Sequence, residues 1–270
     1  MSGTALQSQG DRLDRVLALR HNPSEVDAHC RSIYLQVLGG SDAIETGNFQ
    51  AVSISDLKSL FTLYDRLFFG NLLADSIQQD GASLTFRLSP RMTSAGGTTE
   101  RLRPRSGSVR RDSYTITVST VLLFQSFRES GRRICVGGLE CKDRLEALQR
   151  VFEHELLHLT EFLVWDSSSC SRANFHHLSQ RIFGHAGVKH ELVTPREVAA
   201  TQFGIRTGDR VTFVFEGVQR TGIVNRITKR ATVLVEDQNG RLFSNGTKYA
   251  TFYVPISLLQ KERGPDQGSA

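Results

Sequence analysis

Residues Val151–Phe162 read VFEHELLHLTEF and contain the pattern His-Glu-x-x-His as His154, Glu155 and His158. At about 100° per residue, His158 lies about 40° round the helix from His154 and one turn further along. Both imidazoles then leave the same face, at a spacing that lets two nitrogens bind one tetrahedral Zn²⁺. Glu155 falls about 100° round, beside the ion rather than on it. A carboxylate there can take a proton from a metal-activated water. An apolar stripe, Leu145, Leu148, Phe152, Leu156, Leu159 and Leu163, occupies the far side of the same helix. One face therefore anchors the helix in a core and the other carries the polar set.

Outward from this helix the chain alternates between helical and extended patterning. Upstream, Ser53–Gly70 spaces Leu57, Leu60, Phe61, Tyr64, Leu67 and Phe68 as a buried helical face, with Ser53 or Ser55 to start it and Gly70 to end it. Ser83–Ser89 and Ser113–Ser119 alternate as strands, and the Gly-, Thr- and Arg-rich stretch Arg91–Arg111 between them reads as a loop or hairpin tip. Thr120–Phe127 reads as a short helix, Cys141–Trp165 as the longest helix, and Ser171–Phe183 as another, stopped by Gly184. Near the start, Asp11–Arg20 and Ser24–Leu38 are helical, preceded by a loose tail over residues 1–10.

After about Gly204 the period changes. Val211–Phe215, Thr221–Ile227, Thr232–Glu236 and Thr251–Val254 are short β-rich runs, with turn dipeptides at Asn239-Gly240 and Asn245-Gly246. Several short strands in so few residues predict a small antiparallel barrel.

Residues just beyond the motif narrow the class of zinc enzyme. One extended pattern requires glycine at position 161 and histidine at position 164; the chain has Glu161 and Val164. Glu191 and Glu197 are available as a distant carboxylate ligand, but neither lies in a convincing ligand helix.

Five segments, in order, resemble a SprT-like zinc metalloprotease domain. They are LFTLYDRLFFGNLL (Leu60–Leu73), RMTSAGGTTERL (Arg91–Leu102), YTITVSTVLL (Tyr114–Leu123), the His-Glu-x-x-His helix, and CSRANFHHLSQRIFGH (Cys170–His185). The resemblance covers roughly residues 53–190. It implies a zincin-like α+β fold with a small antiparallel sheet, His154 and His158 as zinc ligands, and Glu155 as general base. It also implies peptide hydrolysis, with DNA-associated or crosslinked proteins as a substrate context.

The third ligand is where this chain departs from the family, which places His-Gly-x-x-Phe at the start of the next helix. Aligned on Phe175, the histidine position holds Ser171 and the glycine position Arg172. Serine is a poor zinc ligand, and the adjacent Cys170 is a good one. The expected metal set is therefore His154, His158 and Cys170, with His176, His177 and His185 as rivals. Two alternative readings stand beside it: a non-catalytic scaffold, in which the altered ligand leaves only a structural zinc and the barrel does the binding, and a nucleic-acid-binding protein that acts through the C-terminal barrel.

Composition fits this picture. The 270 residues are 39% hydrophobic and 23% charged, which excludes a wholly disordered chain. No run approaches the ~20 apolar residues of a membrane span, and the start lacks the pattern of a secretory leader. A cytoplasmic monomer is expected, with its four cysteines as free thiols or metal ligands. The formal charge of +5 permits nucleic-acid contact. Two places could provide it: the loop with Arg101, Arg103, Arg105, Arg110 and Arg111, and the barrel with Arg226, Lys229 and Arg230 near Phe243, Tyr249, Phe252 and Tyr253. The expected organisation is a helical extension over 1–52, the metallopeptidase domain over 53–195, an SH3-like, KOW-type barrel over 204–261, and a disordered tail over 262–270.

Overall fold

The computed structural model describes residues 2–103, 111–127 and 132–262, with side chains from residue 10 onward. The chain is α+β and divides into two compact units, Met1–Leu192 and Val193–Ala270.

The first unit opens with helices α1 (Ser2–Ala18) and α2 (Pro23–Gly40). The tail expected over residues 1–10 is thus helical from Ser2. The start of α2 is fixed by a capping box between Asn22 and Glu25, with Pro23 in the first turn. A second capping box, Ser53 with Asp56, starts α3 (Ile54–Tyr64). The continuous helix expected to Gly70 instead widens into a π-helical turn, Asp65–Phe69, closed by Gly70 in the left-handed region. This wider turn leaves the buried Asp65 carboxylate to accept the Leu73 and Ala74 N–H groups, both at 2.9 Å. Those bonds satisfy the first turn of α4 (Leu72–Gln79).

Strands β1 (Ser83–Ser89), β2 (Gly97–Leu102) and β3 (Ser113–Ser119) come next, then α5 (Thr120–Ser126) and a small hairpin of β4 (Ile134–Val136) and β5 (Leu139–Cys141). Two expectations are corrected here. The stretch Arg91–Arg111 contains a strand, β2, because Thr98 and Thr99 bring β-branched residues to a segment otherwise marked by Gly and Arg. The three-stranded sheet is mixed rather than antiparallel. Its order is β1-β3-β2, with β3 antiparallel to β2 and parallel to β1. Strand β3 turns back beside β2 and meets β1 on its other side in the same direction.

Helix α6 (Arg144–Trp165) is the centre of the unit. Asp143 caps it, accepting the Glu146 N–H at 2.9 Å and the Tyr34 hydroxyl at 2.7 Å. All six residues of the expected apolar stripe are buried, each contributing about 2 kcal/mol. The helix is more enclosed than a surface amphipathic helix, since Ala147, Val151, Leu157 and Val164 on its other sides are buried too. Burial on all sides demands partners for its polar groups. Glu153 accepts from Tyr64 Oη at 2.7 Å and Arg150 Nη1 at 3.0 Å, and bonds His185 Nε2 at 2.6 Å. Burial opposes its ionisation, but Arg150, His185 and Tyr64 outweigh that and hold it down to about 2. Helices α1 and α2 pack on α6, within the same compact unit. Helix α7 (Ala173–Phe183) also packs on α6 and ends at Gly184 in the left-handed region.

The second unit begins at Val193. Thr194 caps α8 (Pro195–Phe203), and strands β6 (Arg210–Phe215), β7 (Val218–Ile227), β8 (Ala231–Leu242), β9 (Lys248–Val254) and β10 (Gln260–Lys261) form one antiparallel sheet. Its order is β10-β6-β7-β8-β9. Val211, Phe213, Val224, Val233 and Val254 face one core, joined by Ala199 and Ile205. Asn245-Gly246 lies in the β8–β9 turn as expected. Asn239-Gly240 does not make a turn but falls within β8, where the register shifts between Glu236 and Arg241. A Cβ at Gly240 would lie 2.3 Å from a Tyr249 backbone atom, so the bulge requires glycine. Of the expected tail, all but Glu262 lies outside the described residues.

Candidate metal centre

His154 and His158 leave the face of α6 that meets α7. Their Nε2 atoms are 3.1 Å apart, and Cys170, on the loop between the two helices, completes a set of donor atoms within 4.8 Å of one another. Two imidazole nitrogens at that separation share either a proton or a metal ion. The rivals for the third position lie elsewhere. His176 and His177 are exposed on α7, and His185 is buried against Glu153. Ser171 bonds Ser169.

The imidazoles are held from both sides. The buried Phe175 ring sits 4.7 Å from each histidine ring. His158 Nδ1 lies 2.6 Å from Ser168 Oγ, and that hydroxyl donates to Glu161 Oε2 at 2.6 Å. Since the serine proton goes to the carboxylate, His158 Nδ1 is the donor to Ser168, which leaves Nε2 with a free lone pair. Glu161 also accepts the Ser169 N–H at 2.9 Å, so one buried carboxylate orients His158 and fixes the loop that carries Cys170. Burial and neighbouring His158 lower the His154 pKa to about 3, and burial lowers that of His158 to about 4. Both rings are neutral at neutral pH, the state a metal ligand needs.

The Glu155 carboxylate is bonded to β2. Thr99 Oγ1 donates to its Oε2 at 2.8 Å and lies 2.9 Å from its backbone oxygen. Gly97 makes the approach possible, because a Cβ there would lie 2.7 Å from Glu155 Cγ. The start of β2 is held by His190, whose Nε2 accepts the Gly96 N–H at 2.9 Å. Burial raises the Glu155 pKa to about 8.

That shift gives a test of the geometry in metal-free protein. A carboxyl whose folded pKa lies above its ordinary value of 4.5 stabilises the fold below that value, and the contribution is lost as pH rises through about 8. Metal-free Glu155→Gln is therefore expected to be more stable than wild type, by a margin that grows from about pH 5 to about pH 8, reaching the order of 4 kcal/mol. The histidine contributions are common to both proteins. Denaturant midpoints across this range measure the difference, and equal midpoints at pH 8 would contradict the buried placement.

Sequence reasoning missed Thr99, Glu161, Ser168, Phe175 and His190 as supporting residues. Glu161 had a signal, three residues after His158 on the same helical face. Arg101 and Arg103 both bind Asp166 at the C-terminus of α6, and Arg103 also bonds Asp112 at 3.1 Å. These two arginines are neutralised within the unit and brace the start of the Cys170 loop. Arg105 and Arg110 lie outside the described residues.

No family model matches the chain, and no curated protein or solved structure matches it.

Proposed function

We propose that the chain is a zinc metallopeptidase of SprT-like, zincin type. The observation that carries this reading is the convergence of His154, His158 and Cys170 with an acidic neighbour, Glu155, that is not itself a ligand. The donor set suits zinc, which takes imidazole nitrogen and thiolate sulfur. Tetrahedral geometry at ~2.0 Å bonds separates two nitrogens by about 3.3 Å, close to the 3.1 Å between the imidazoles. Three clustered protein donors among the described residues, rather than four, favour a catalytic over a structural site. The five antiparallel strands around one core in the second unit support the SH3-like reading of that module.

When bound, zinc supplies an acidified water and a polarised scissile carbonyl. Glu155 accepts the proton of the attacking water and delivers it to the leaving amine. Thr99 holds the carboxylate in place. Strand β2 is at the edge of its sheet, with no strand on its outer side among the described residues. Its free backbone groups can pair with an extended peptide beside Glu155.

Purified protein is expected to hydrolyse casein. A chelator should abolish the activity, and stoichiometric zinc should restore it. Protein that binds zinc fully and leaves casein and unfolded proteins intact would refute the peptidase reading.

A further inference from the structure

Eleven Lys and Arg stand against seven Asp and Glu from Val193 to the end, so nearly all of the chain's net charge of +5 is in the second unit. Some of these cations are paired: Arg210 with Glu262, Lys261 with Asp209, and Arg220 over the Phe252 ring. Arg226, Lys229 and Arg230 form no ion pair among the described residues.

Their position is defined by strand register. Arg226 pairs with Thr232, and Thr232 with Tyr253, so the three form one row across β7, β8 and β9. The row faces away from the core, since the adjacent positions Ile227, Val233 and Val254 point into it. Tyr253 is 68% exposed, a large apolar ring left in water. Lys229 and Arg230 occupy the β7–β8 turn at one end of the row.

We infer that this face binds single-stranded nucleic acid. Tyr253 would stack on a base, while Arg226, Lys229 and Arg230 take the flanking phosphates. Charge alone would suit any polyanion, and the exposed ring beside the unpaired cations adds the aromatic platform that single strands require. Stacking needs an unpaired base, so duplex should bind more weakly. This inference is independent of the metal centre.

Fluorescence anisotropy of the full chain with labelled oligothymidylate of about 20 nucleotides tests it. Oligouridylate and a duplex of equal length serve as comparisons, and polyglutamate as competitor. Three phosphate contacts predict about a 20-fold loss of affinity between about 50 and 200 mM salt. Tyr253→Ala should weaken binding roughly 10-fold, with Tyr253→Phe retaining it. Changing Arg226, Lys229 and Arg230 together to Ser should remove most of the salt dependence. Equal affinity of Tyr253→Ala and wild type, a preference for duplex, or displacement by polyglutamate as effective as by unlabelled oligonucleotide would overturn the proposal. A better fit to thymidylate than to uridylate would identify DNA as the source of the strand, and the reverse RNA; either supports the surface.

Discussion

Glu155→Gln is expected to lower peptide hydrolysis by roughly 10³-fold, the size of a lost general base, while the protein still binds one equivalent of zinc. Glutamine has nearly the shape of glutamate, and its side-chain oxygen can still accept from Thr99. The cavity at Gly97 is unchanged, so the fold has no reason to rearrange. What is lost is the ability to hold the water's proton. The loss should therefore appear in kcat, with KM little changed. In the metal-free state the same substitution stabilises the protein at pH 8, so instability cannot explain the loss. Retained proteolysis in Glu155→Gln would remove the proposed mechanism.

Cys170→Ala is expected to weaken zinc binding by more than ~100-fold, beyond the loss seen when only a supporting residue is removed. His177→Ala should leave affinity unchanged, because His177 is exposed on α7, outside the donor cluster. Competition with a chromophoric chelator measures both. Zinc lost from the histidine variant and kept by the cysteine variant would reverse the assignment of the third ligand. Cys170 sits on a loop tied to Glu161 through Ser168 and Ser169, and to β2 through Asp166. Alanine there removes the sulfur without touching those ties.

The sequence was most informative where local geometry alone decides the outcome. A His-Glu-x-x-His pattern on a helix puts two imidazoles on one face whatever surrounds them, so His154 and His158 were legible before any fold was known. The buried stripe from Leu145 to Leu163 was legible by the same rule of period. Strand β2 was not, because glycines and arginines mask its two threonines, and its place at the sheet edge depends on pairing with a strand more than ten residues away. The direction of β1 relative to β3 was also hidden, since side-chain alternation is the same in parallel and antiparallel pairs. The bulge at Gly240 looked like a hairpin turn because both use Asn-Gly; the long register of β8 with β9 distinguishes them. The supporting shell around the histidines joins residues from β2, α6, the Cys170 loop and α7, and no local pattern encodes such a convergence. The partners of Arg101 and Arg103 were hidden for a related reason: they include Asp166, more than sixty residues further along the chain.

The most direct test of the metal centre is zinc-edge X-ray absorption of the protein loaded with one equivalent of zinc. A His154, His158 and Cys170 site with an open position predicts two nitrogen neighbours from imidazole and one light oxygen neighbour, all near ~2.0 Å, with one sulfur at about 2.3 Å. A spectrum without sulfur, or one fitted by four protein ligands and no oxygen, would contradict it.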